Sequence, residues 1–214
     1  MSFDMPKTGT WEQRGGWVLR QLVKDLKITP EQAAGILGNL GFESAGFTQL
    51  HEIGQPEGKG GYGWAQWTAS RRVAFFRWCA EESLNWWDDE ANYGFLLHEL
   101  RGSQEKSLTQ LKKTTWLETA TFTFGYHFEK PGGTTTTHLP GLEGRIAYAQ
   151  RALREAPVEV PVADHLDQAV LVFNAAASLL QSMLQEKGFY EGEMDGDFGP
   201  ASRAALLQYL ATKR

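Results

Sequence analysis

The sequence predicts a mainly α-helical protein with two domains: an α+β domain with a small β-hairpin, and then a small helical domain. Apolar residues recur at helical spacing along most of the 214-residue chain, which is the pattern of amphipathic helices. Residues 50–68 depart from this pattern because they are rich in glycine and aromatic residues. The stretch Glu155–Val162 contains two prolines, and all eight tryptophans precede residue 117. A change of composition at a proline-containing joint indicates two domains.

The helices of the first domain are predicted from a capping signal and from apolar periodicity. Thr29, Pro30 and Gln32 form a capping-box pattern, which opens a helix that runs to about Glu43. Residues 50–68 predict an irregular β-hairpin that turns at Gln55–Gly60. Helical patterns resume at about 69–82, 88–101, 103–113, 115–129 and 141–155.

The second domain is predicted to contain helices at about 164–187 and 200–213. Gly188 is placed to end the first of these helices, and Pro200 is placed in the first turn of the second. We therefore expect a first domain over residues 1–156, a linker over 157–163 and a second domain over 164–214.

Composition and charge argue against several classes of function. The net charge of −5 is unfavourable for nucleic acid as the main partner, since phosphate binding needs clustered lysine and arginine. No apolar run approaches the roughly 20 residues of a membrane span. A single cysteine, Cys79, excludes an intramolecular disulfide and a cysteine-based zinc cluster. The five histidines show no metal-ligand spacing, so we expect no metal site. We also expect no cofactor and a monomeric protein.

A candidate catalytic carboxyl lies at the end of the helix predicted from Thr29. Four residues at spacings of 4, 3 and 4 share one helical face: Ile36, Leu40, Glu43 and Phe47. Partial burial raises the pKa of a carboxyl, and the negative end of the helix macrodipole acts in the same direction. A carboxyl that keeps its proton near neutral pH can act as general acid towards a glycosidic oxygen. The alternative for Glu43 is a solvated glutamate at a helix end.

The segment Gly61–Trp67 combines flat aromatic side chains with an amide. In an extended strand its side chains alternate, which places Tyr62, Trp64 and Gln66 on one side and Trp67 on the other. The amide can hydrogen-bond to sugar hydroxyl or acetamido groups, and the rings can stack on apolar sugar faces. We therefore predict all four as substrate-binding residues. The alternative for the two tryptophans is burial within an aromatic hairpin.

A second carboxylate would assist Glu43 as base, nucleophile or electrostatic stabiliser. Glu52 lies nine residues further along, on the first arm of the predicted hairpin, and Glu57 lies at its turn. We predict Glu52, because a strand holds a side chain more firmly than a glycine-rich turn. The alternative for Glu52 is an exposed strand residue. The separation of the two carboxyl groups distinguishes inversion from retention of configuration, which the sequence leaves open.

These segments together resemble the phage tail lysozyme family of the lysozyme-like superfamily. The resemblance is carried by Gly41–Phe47 and by Gly60–Thr68 with the following Ser70-Arg71-Arg72. Further matches are Phe95–Leu100, Phe128–Gly132 and Gly144–Gln150, so that the resemblance covers roughly residues 14–155. It implies a lysozyme-like fold and cleavage of the N-acetylmuramic acid to N-acetylglucosamine bond of peptidoglycan. It also implies that Glu43 stands at the position of the catalytic acid; some members work with a single carboxylate.

Residues 166–212 resemble the small three-helix peptidoglycan-binding domain, so that the whole chain is similar to a phage endolysin. The matching segments are Leu184–Tyr190, Met194–Pro200 and Arg203–Leu206. The resemblance implies a wall-binding module, with Tyr190, Asp195 and Phe198 as its candidate residues. Asp195 and Asp197 lack the further ligands of an EF-hand, and we assign them to turn formation and helix capping.

Two other functions fit the same features. A lytic transglycosylase on this fold would use one acid/base carboxyl and release a 1,6-anhydro product. A non-catalytic wall-binding or virion structural protein would keep the fold without the reaction. The N-terminal residues form no recognisable signal peptide, so we expect synthesis in the host cytoplasm and action on the wall or periplasm after release or delivery.

Overall fold

The computed structural model describes residues 3–154 and 176–212. The chain divides into two compact units, Met1–Val158 and Glu159–Arg214, each with its own hydrophobic cluster. The predicted linker at 157–163 and the start of the helix predicted from residue 164 lie outside the described residues. The two units are described separately.

The described part of the first unit is helical, as predicted. Its helices are α1 (Trp11–Leu26), α2 (Pro30–Glu43), α3 (Ala69–Glu81), α4 (Asp89–Arg101), α5 (Glu105–Leu111), α6 (Leu117–Phe124) and α7 (Leu142–Arg154). A π-helical turn, Gly125–Glu129, continues α6.

Capping boxes begin both α1 and α2. The Thr29 hydroxyl accepts from the backbone of Gln32 at 3.2 Å, and the Gln32 side chain accepts from the backbone of Thr29 at 3.0 Å. Thr10 and Gln13 make the same pair of hydrogen bonds at 3.4 and 3.1 Å. Helix α1 was not predicted, although Thr10-x-x-Gln13 repeats the signal that identifies α2.

Helix α2 lies at the centre of the unit and packs against α1, α6 and α7. Glycines on its surface allow this close approach. A Cβ at Gly38 would lie 2.4 Å from the carbonyl oxygen of Arg145 on α7, and one at Gly35 would lie 2.7 Å from the backbone of Ala120 on α6. Because α2 touches α7 almost backbone to backbone, its last residue, Glu43, is brought beside Arg145.

The predicted β-hairpin is not seen: residues 50–68 form no strand in the structure. Two isolated antiparallel bridges, His51 with Tyr62 and Tyr62 with Trp67, replace it. Several glycines of the segment have positive φ, and Gln66 is also left-handed at φ +43°. These conformations interrupt an extended strand, and the chain instead reverses between Tyr62 and Trp67. The strict alternation of side chains expected over this segment is therefore wrong.

The reversed segment packs its aromatic rings into the core of the unit. Trp64 stacks on Phe47 with ring centroids 4.0 Å apart, and Trp67 meets Phe95 edge-on at 5.0 Å. The loop is thus fixed to the helices by its aromatic side chains, and it holds its remaining polar side chains in a defined place beside the end of α2.

The described part of the second unit contains helical residues 176–186 (α8) and helix α9 (Pro200–Ala211). Pro200 lies in the first turn of α9, as predicted. Gly188 has φ +74°, and the next amide, that of Phe189, donates to the carbonyl of Leu184 at 2.8 Å, which ends α8. Leu184 is also the centre of the small core of this unit. The remainder of the predicted helix 164–187 lies outside the described residues.

Among the helices of residues 3–154 and 176–212, none is both long and apolar enough to span a membrane.

Candidate active site

A cleft of about 690 Å³ opens on the first unit, where α2, the loop after it, the start of α3 and the π-helical turn converge. Its lining residues are Phe42, Glu43, Ala45, Gln49, Glu52, Ile53, Ala65, Gln66, Thr68, Arg71, Glu129, Lys130, Pro131 and Gly132. The cleft brings together three carboxyl groups: Glu43 and Glu52, which are close in sequence, and Glu129, which lies much further along the chain. Two of them, Glu43 and Glu52, were predicted as catalytic residues.

Glu43 is ion-paired with a buried arginine. Arg145 is 2% exposed and donates from Nη2 to Glu43 Oε1 at 2.6 Å. The same guanidinium donates to Asn39 Oδ1 at 2.9 Å and to the Pro140 carbonyl at 3.1 Å, and it lies 4.6 Å above the centroid of Phe42. These contacts fix the guanidinium, and its hydrogen bond to Oε1 holds the Glu43 carboxyl at one place in the cleft.

Glu52 lies in the cleft and also closes the loop that carries it. Its Oε2 accepts from the backbone amide of Gly61 at 2.7 Å, and its own amide donates to the Gly61 carbonyl at 3.0 Å. Glu57, the alternative second carboxylate, is exposed and lines a separate cavity. The structure thus brings Glu52 to Glu43 and leaves Glu57 outside the cleft.

Glu129 was not among the predicted site residues, although the motif Phe128–Gly132 contains it. It ends the π-helical turn, and the left-handed Lys130 that follows, at φ +52°, turns the chain away. Its Oε1 is buried and has no hydrogen-bond partner among the described residues. Burial raises the pKa of Glu129 to about 8, and the charge of Glu43 acts in the same direction.

An arginine network holds the turn that carries Glu129. Arg71 on α3 donates to both oxygens of Glu99 at 2.8 and 2.7 Å, and Trp67 Nε1 donates to Glu99 Oε2 at 2.7 Å. A third donor of Arg71 reaches the Phe128 carbonyl at 3.1 Å, and its guanidinium lies 4.4 Å from the centroid of the Phe128 ring. The network joins α3, α4 and the π-helical turn, and it fixes one wall of the cleft.

Of the four predicted substrate-binding residues, Gln66 lines the cleft. Its Nε2 donates to the carbonyls of Gln49, Leu50 and Gly63 at 3.2, 3.3 and 3.0 Å. The amide nitrogen therefore stabilises the loop, and Oε1 is the atom that remains for a ligand.

The other three predicted substrate-binding residues, Tyr62, Trp64 and Trp67, do not line this cleft. Trp64 and Trp67 are 0% and 1% exposed and belong to the core, which is the alternative considered for them. Tyr62 is 8% exposed, and burial raises its pKa to about 12. It lines a separate cavity of about 520 Å³ together with Phe76 and Trp86. The chain reversal after Tyr62 removes the side-by-side arrangement on which these predictions depended.

In the second unit, two of the three candidate residues hold the fold. A buried side chain, Gln181, donates to Asp195 Oδ1 at 2.9 Å and to the hydroxyl of Tyr190 at 3.2 Å. Asp195 Oδ1 also accepts from the amide of Asp197 at 2.9 Å, which is the predicted turn. The predicted capping of α9 is not seen, since Gly199 is its N-cap and no side chain caps the helix. Phe198 is half-buried.

Within residues 3–154 and 176–212, no group of three or more histidine, cysteine, aspartate or glutamate side chains is placed to hold a metal ion.

Comparison with known proteins gives one match. The model of the family described as phage tail lysozyme matches residues 18–155, a segment that contains every residue of the cleft. No curated protein matches the chain. This family suggests a peptidoglycan-lytic activity with peptidoglycan as the substrate. Since the match extends over more than half of the sequence, the chain belongs to the phage tail lysozyme family.

Proposed function

We propose that the protein cleaves the glycosidic bond between N-acetylmuramic acid and N-acetylglucosamine in peptidoglycan, as a muramidase. The observation that carries this proposal is the convergence of Glu43, Glu52 and Glu129 in one cleft within the matched segment. Cleavage of a glycosidic bond needs a proton for the departing oxygen and a carboxylate beside the sugar carbon that becomes positively charged. Three carboxyl groups in one cleft can divide these two roles between them.

Glu43 is the carboxyl on which the proposal depends. Glu43 is the last residue of α2, and a hydrogen bond from Arg145 holds its carboxyl group in the cleft. Gln66 Oε1 would accept a hydrogen bond from a sugar hydroxyl or acetamido group. The exposed ring of Phe42 beside Glu43 offers an apolar surface to a sugar face.

We further propose that the second unit binds the cell wall. The support is the resemblance of residues 166–212 to peptidoglycan-binding domains. Tyr190 and Asp195 are already engaged in internal hydrogen bonds, so their part is to shape the module. Its more exposed side chains, including half-buried Phe198, would make the contact.

A lytic transglycosylase is the second candidate, and one observation favours it. Glu52 is held by the Gly61 amide, and this bond reduces its capacity to activate water. A single-carboxylate reaction, in which the C6 hydroxyl of the sugar attacks its own C1, would not need Glu52.

Mass spectrometry of purified sacculi digested with the protein tests both candidates. Muropeptides with a reducing N-acetylmuramic acid end are expected from hydrolysis, and 1,6-anhydro ends from transglycosylation. If the protein releases no soluble muropeptide, the lytic proposal is wrong and a non-catalytic wall protein is the better description. Products with a reducing N-acetylglucosamine end would show that the protein is lytic but cleaves a different glycosidic bond from the one proposed.

A further inference from the structure

A second cavity, of about 520 Å³, lies on the first unit and shares no lining residue with the cleft. We call it the side cavity. Three aromatic side chains, Tyr62, Phe76 and Trp86, form part of its wall. The centroid of the Tyr62 ring lies 4.8 Å from that of Trp86, which it meets edge-on, and 5.3 Å from that of Phe76. Trp86 is 38% exposed, so part of its indole ring is open to a ligand.

The hydroxyl group of Tyr62 lacks a hydrogen-bond partner among the described residues, although the side chain is only 8% exposed. Two tyrosines that are buried to the same degree are paired: Tyr93 donates to Asp25 at 2.7 Å, and Tyr190 donates to the Glu193 carbonyl at 2.9 Å. A purely structural role at position 62 would be filled at lower cost by phenylalanine, which packs a similar ring without an unpaired hydroxyl. A ligand in the side cavity can supply the missing acceptor.

Arg72 brings a positive charge to the same cavity. Its Nη1 donates to the Gly60 carbonyl at 3.3 Å, and its guanidinium lies 5.3 Å from the centroid of the Phe76 ring. No carboxylate of the described residues pairs with it, whereas the neighbouring Arg71 donates to both oxygens of Glu99. The remaining donors of Arg72 are therefore available to an anion, and the planar guanidinium fits a carboxylate.

The polar groups of the side cavity match a peptide better than a sugar chain. Arg72 and Tyr62 offer donors to a carboxylate, and the exposed Glu57 offers an acceptor to a peptide N–H group. The aromatic wall suits small alkyl side chains such as the methyl group of alanine. The glycan strand of peptidoglycan carries no charge where its lactyl group bears a peptide, and so it would leave Arg72 without a partner.

One loop separates the side cavity from the cleft. Its two ends are joined by the hydrogen bond from the Glu52 amide to the Gly61 carbonyl at 3.0 Å. Ile53 lines the cleft, and Gln55 lines the side cavity. These two residues are two positions apart, so their Cα atoms are at most about 7 Å from each other. An extended peptide of four residues is about 13–14 Å long and can reach from a sugar in the cleft into the side cavity.

We propose that the side cavity binds the peptide stem of peptidoglycan by its terminal carboxylate, while the glycan strand lies in the cleft. This inference rests on the proposed function, because that function identifies the polymer. The carboxylate accepts hydrogen bonds from Arg72 and from the Tyr62 hydroxyl, and the alanine side chains of the stem pack against Trp86. The site thus distinguishes strands that carry peptides from bare strands.

The binding test uses the full chain labelled with 5-fluorotryptophan and observed by fluorine NMR. All eight tryptophans precede residue 117, so the spectrum reports only on the first unit. No tryptophan lines the cleft, and Trp86 lines the side cavity. A change in the Trp86 resonance, assigned with Trp86→Phe, therefore reports a ligand in the side cavity. The resonance of Trp64, which is 0% exposed, is the internal control.

Three probes separate a peptide from a sugar ligand. They are an N-acetylated stem tetrapeptide that ends in a free D-alanine carboxylate, the same peptide as its C-terminal amide, and peptide-free N-acetylglucosaminyl-N-acetylmuramic acid. The acid should shift the Trp86 resonance saturably. The amide should bind about 10-fold more weakly, because it loses the charge-assisted hydrogen bonds. Equal affinity of acid and amide would overturn the inference, and so would a disaccharide that shifts Trp86 as strongly as the peptide.

Three variants test the assigned residues. Arg72→Gln should weaken binding of the acid by about 10-fold and Tyr62→Phe by about 5-fold, since each removes a donor. Arg77→Gln, at an exposed position of the same helix, is the matched control and should bind as wild type does. Tyr62→Phe should not lower Tm, because the hydroxyl has no partner within the described fold. Should Arg72→Gln not fold, Tyr62→Phe decides, and wild-type affinity in Tyr62→Phe would reject the site.

A measurement of activity separates the failure of this site from the failure of the proposed function. Wild type should cleave uncross-linked strands that carry peptides with a lower KM than the same strands after an amidase has removed the peptides. In Arg72→Gln the ratio of the two kcat/KM values should approach one. If wild type releases no muropeptides but the peptide still shifts Trp86, the proposed function fails and the peptide site stands. If wild type cleaves both kinds of strand equally and the peptide leaves Trp86 unchanged, the function stands and the site is rejected.

Discussion

Arg145 is the residue that holds the Glu43 carboxyl group in place. It is 2% exposed and makes hydrogen bonds to Glu43, to Asn39 and to the Pro140 carbonyl, so that α2, α7 and the segment before α7 meet at one guanidinium. A buried arginine with three fixed acceptors does not move away when a substrate enters. Glu43 therefore meets the substrate at a fixed position.

The first prediction concerns Glu43 itself. Glu43→Gln should reduce the release of muropeptides from sacculi by at least about 10²-fold, whether the group acts as acid or as ionised carboxylate. The thermal unfolding temperature should fall, because the buried Arg145 keeps a hydrogen-bond acceptor but loses its charged partner. Near-wild-type lysis by Glu43→Gln, with Glu118→Gln as the control, would remove Glu43 from the reaction.

The second prediction concerns the buried ion pair. Arg145→Met should destabilise the first unit by about 3 kcal/mol, measured by urea unfolding, because it leaves Glu43 without its counter-ion in a partly buried site. Arg151→Met is a matched control on the same helix. Arg151 pairs with Glu12, but both side chains are largely accessible at 41% and 26%, so the loss should be below about 1 kcal/mol. Equal losses at the two positions would show that the Arg145 pair contributes little.

At the scale of elements, the helices were predictable and the loop was not. Helix α2 was predicted to within a residue because its capping box and apolar face are local in sequence. The hairpin prediction failed at residues 50–68, where positive φ angles at glycines and at Gln66 outweigh the strand preference of the aromatic residues. Secondary structure in this segment is determined by the burial of Trp64 and Trp67 in the core.

The difference between local sequence signals and tertiary packing also explains which site residues could be predicted from the sequence. Glu43 and Glu52 lie close together in sequence and next to recognisable segments, and both line the cleft. Glu129 has a buried Oε1 and a raised pKa, and the charges that act on it come from α2, α3, α4 and α7. These helices span about 100 residues of sequence, and no local pattern predicts that they meet at Glu129.

The third prediction belongs to the contact between α2 and α7. Gly38→Ala would place a methyl group 2.4 Å from the Arg145 carbonyl and 2.9 Å from the Ala149 Cβ, so the two helices must separate. Alanine is favoured over glycine within a helix by up to about 1 kcal/mol, but overpacking of a rigid contact costs about 1–3 kcal/mol. We expect a net loss of stability by urea unfolding, and a loss of lytic activity because Arg145 shifts away from Glu43.

Gly132→Ala serves as the stability control for this change, since a Cβ there meets no atom within 4 Å. It should leave the free energy of unfolding within about 0.5 kcal/mol of wild type. If Gly38→Ala is as stable as Gly132→Ala, the close approach of α2 and α7 is not what positions Glu43.

At the scale of the whole molecule, we propose that the first unit carries the chemistry and the second binds the wall. Every residue of the cleft lies between Phe42 and Gly132, inside the family match and inside the first unit. The second unit has its own small core around Leu184, Tyr190 and Ala205 and an internal hydrogen-bond network centred on Gln181. This separation predicts that the units contribute independently to activity on an intact wall.

The last prediction removes the second unit. A chain that ends at Ala156 should cleave soluble glycan fragments with the kcat/KM of the full-length protein, because it keeps the whole cleft. It should act more slowly on intact sacculi, because a tethered binding module raises the local concentration of enzyme at the wall without changing the reaction. The segment 157–214 alone should sediment with purified sacculi. If it stays in the supernatant, and if the shortened chain matches the full-length protein on whole walls, the second unit does not anchor the enzyme. A shortened chain that is inactive on soluble fragments as well would instead place part of the catalytic machinery beyond residue 156.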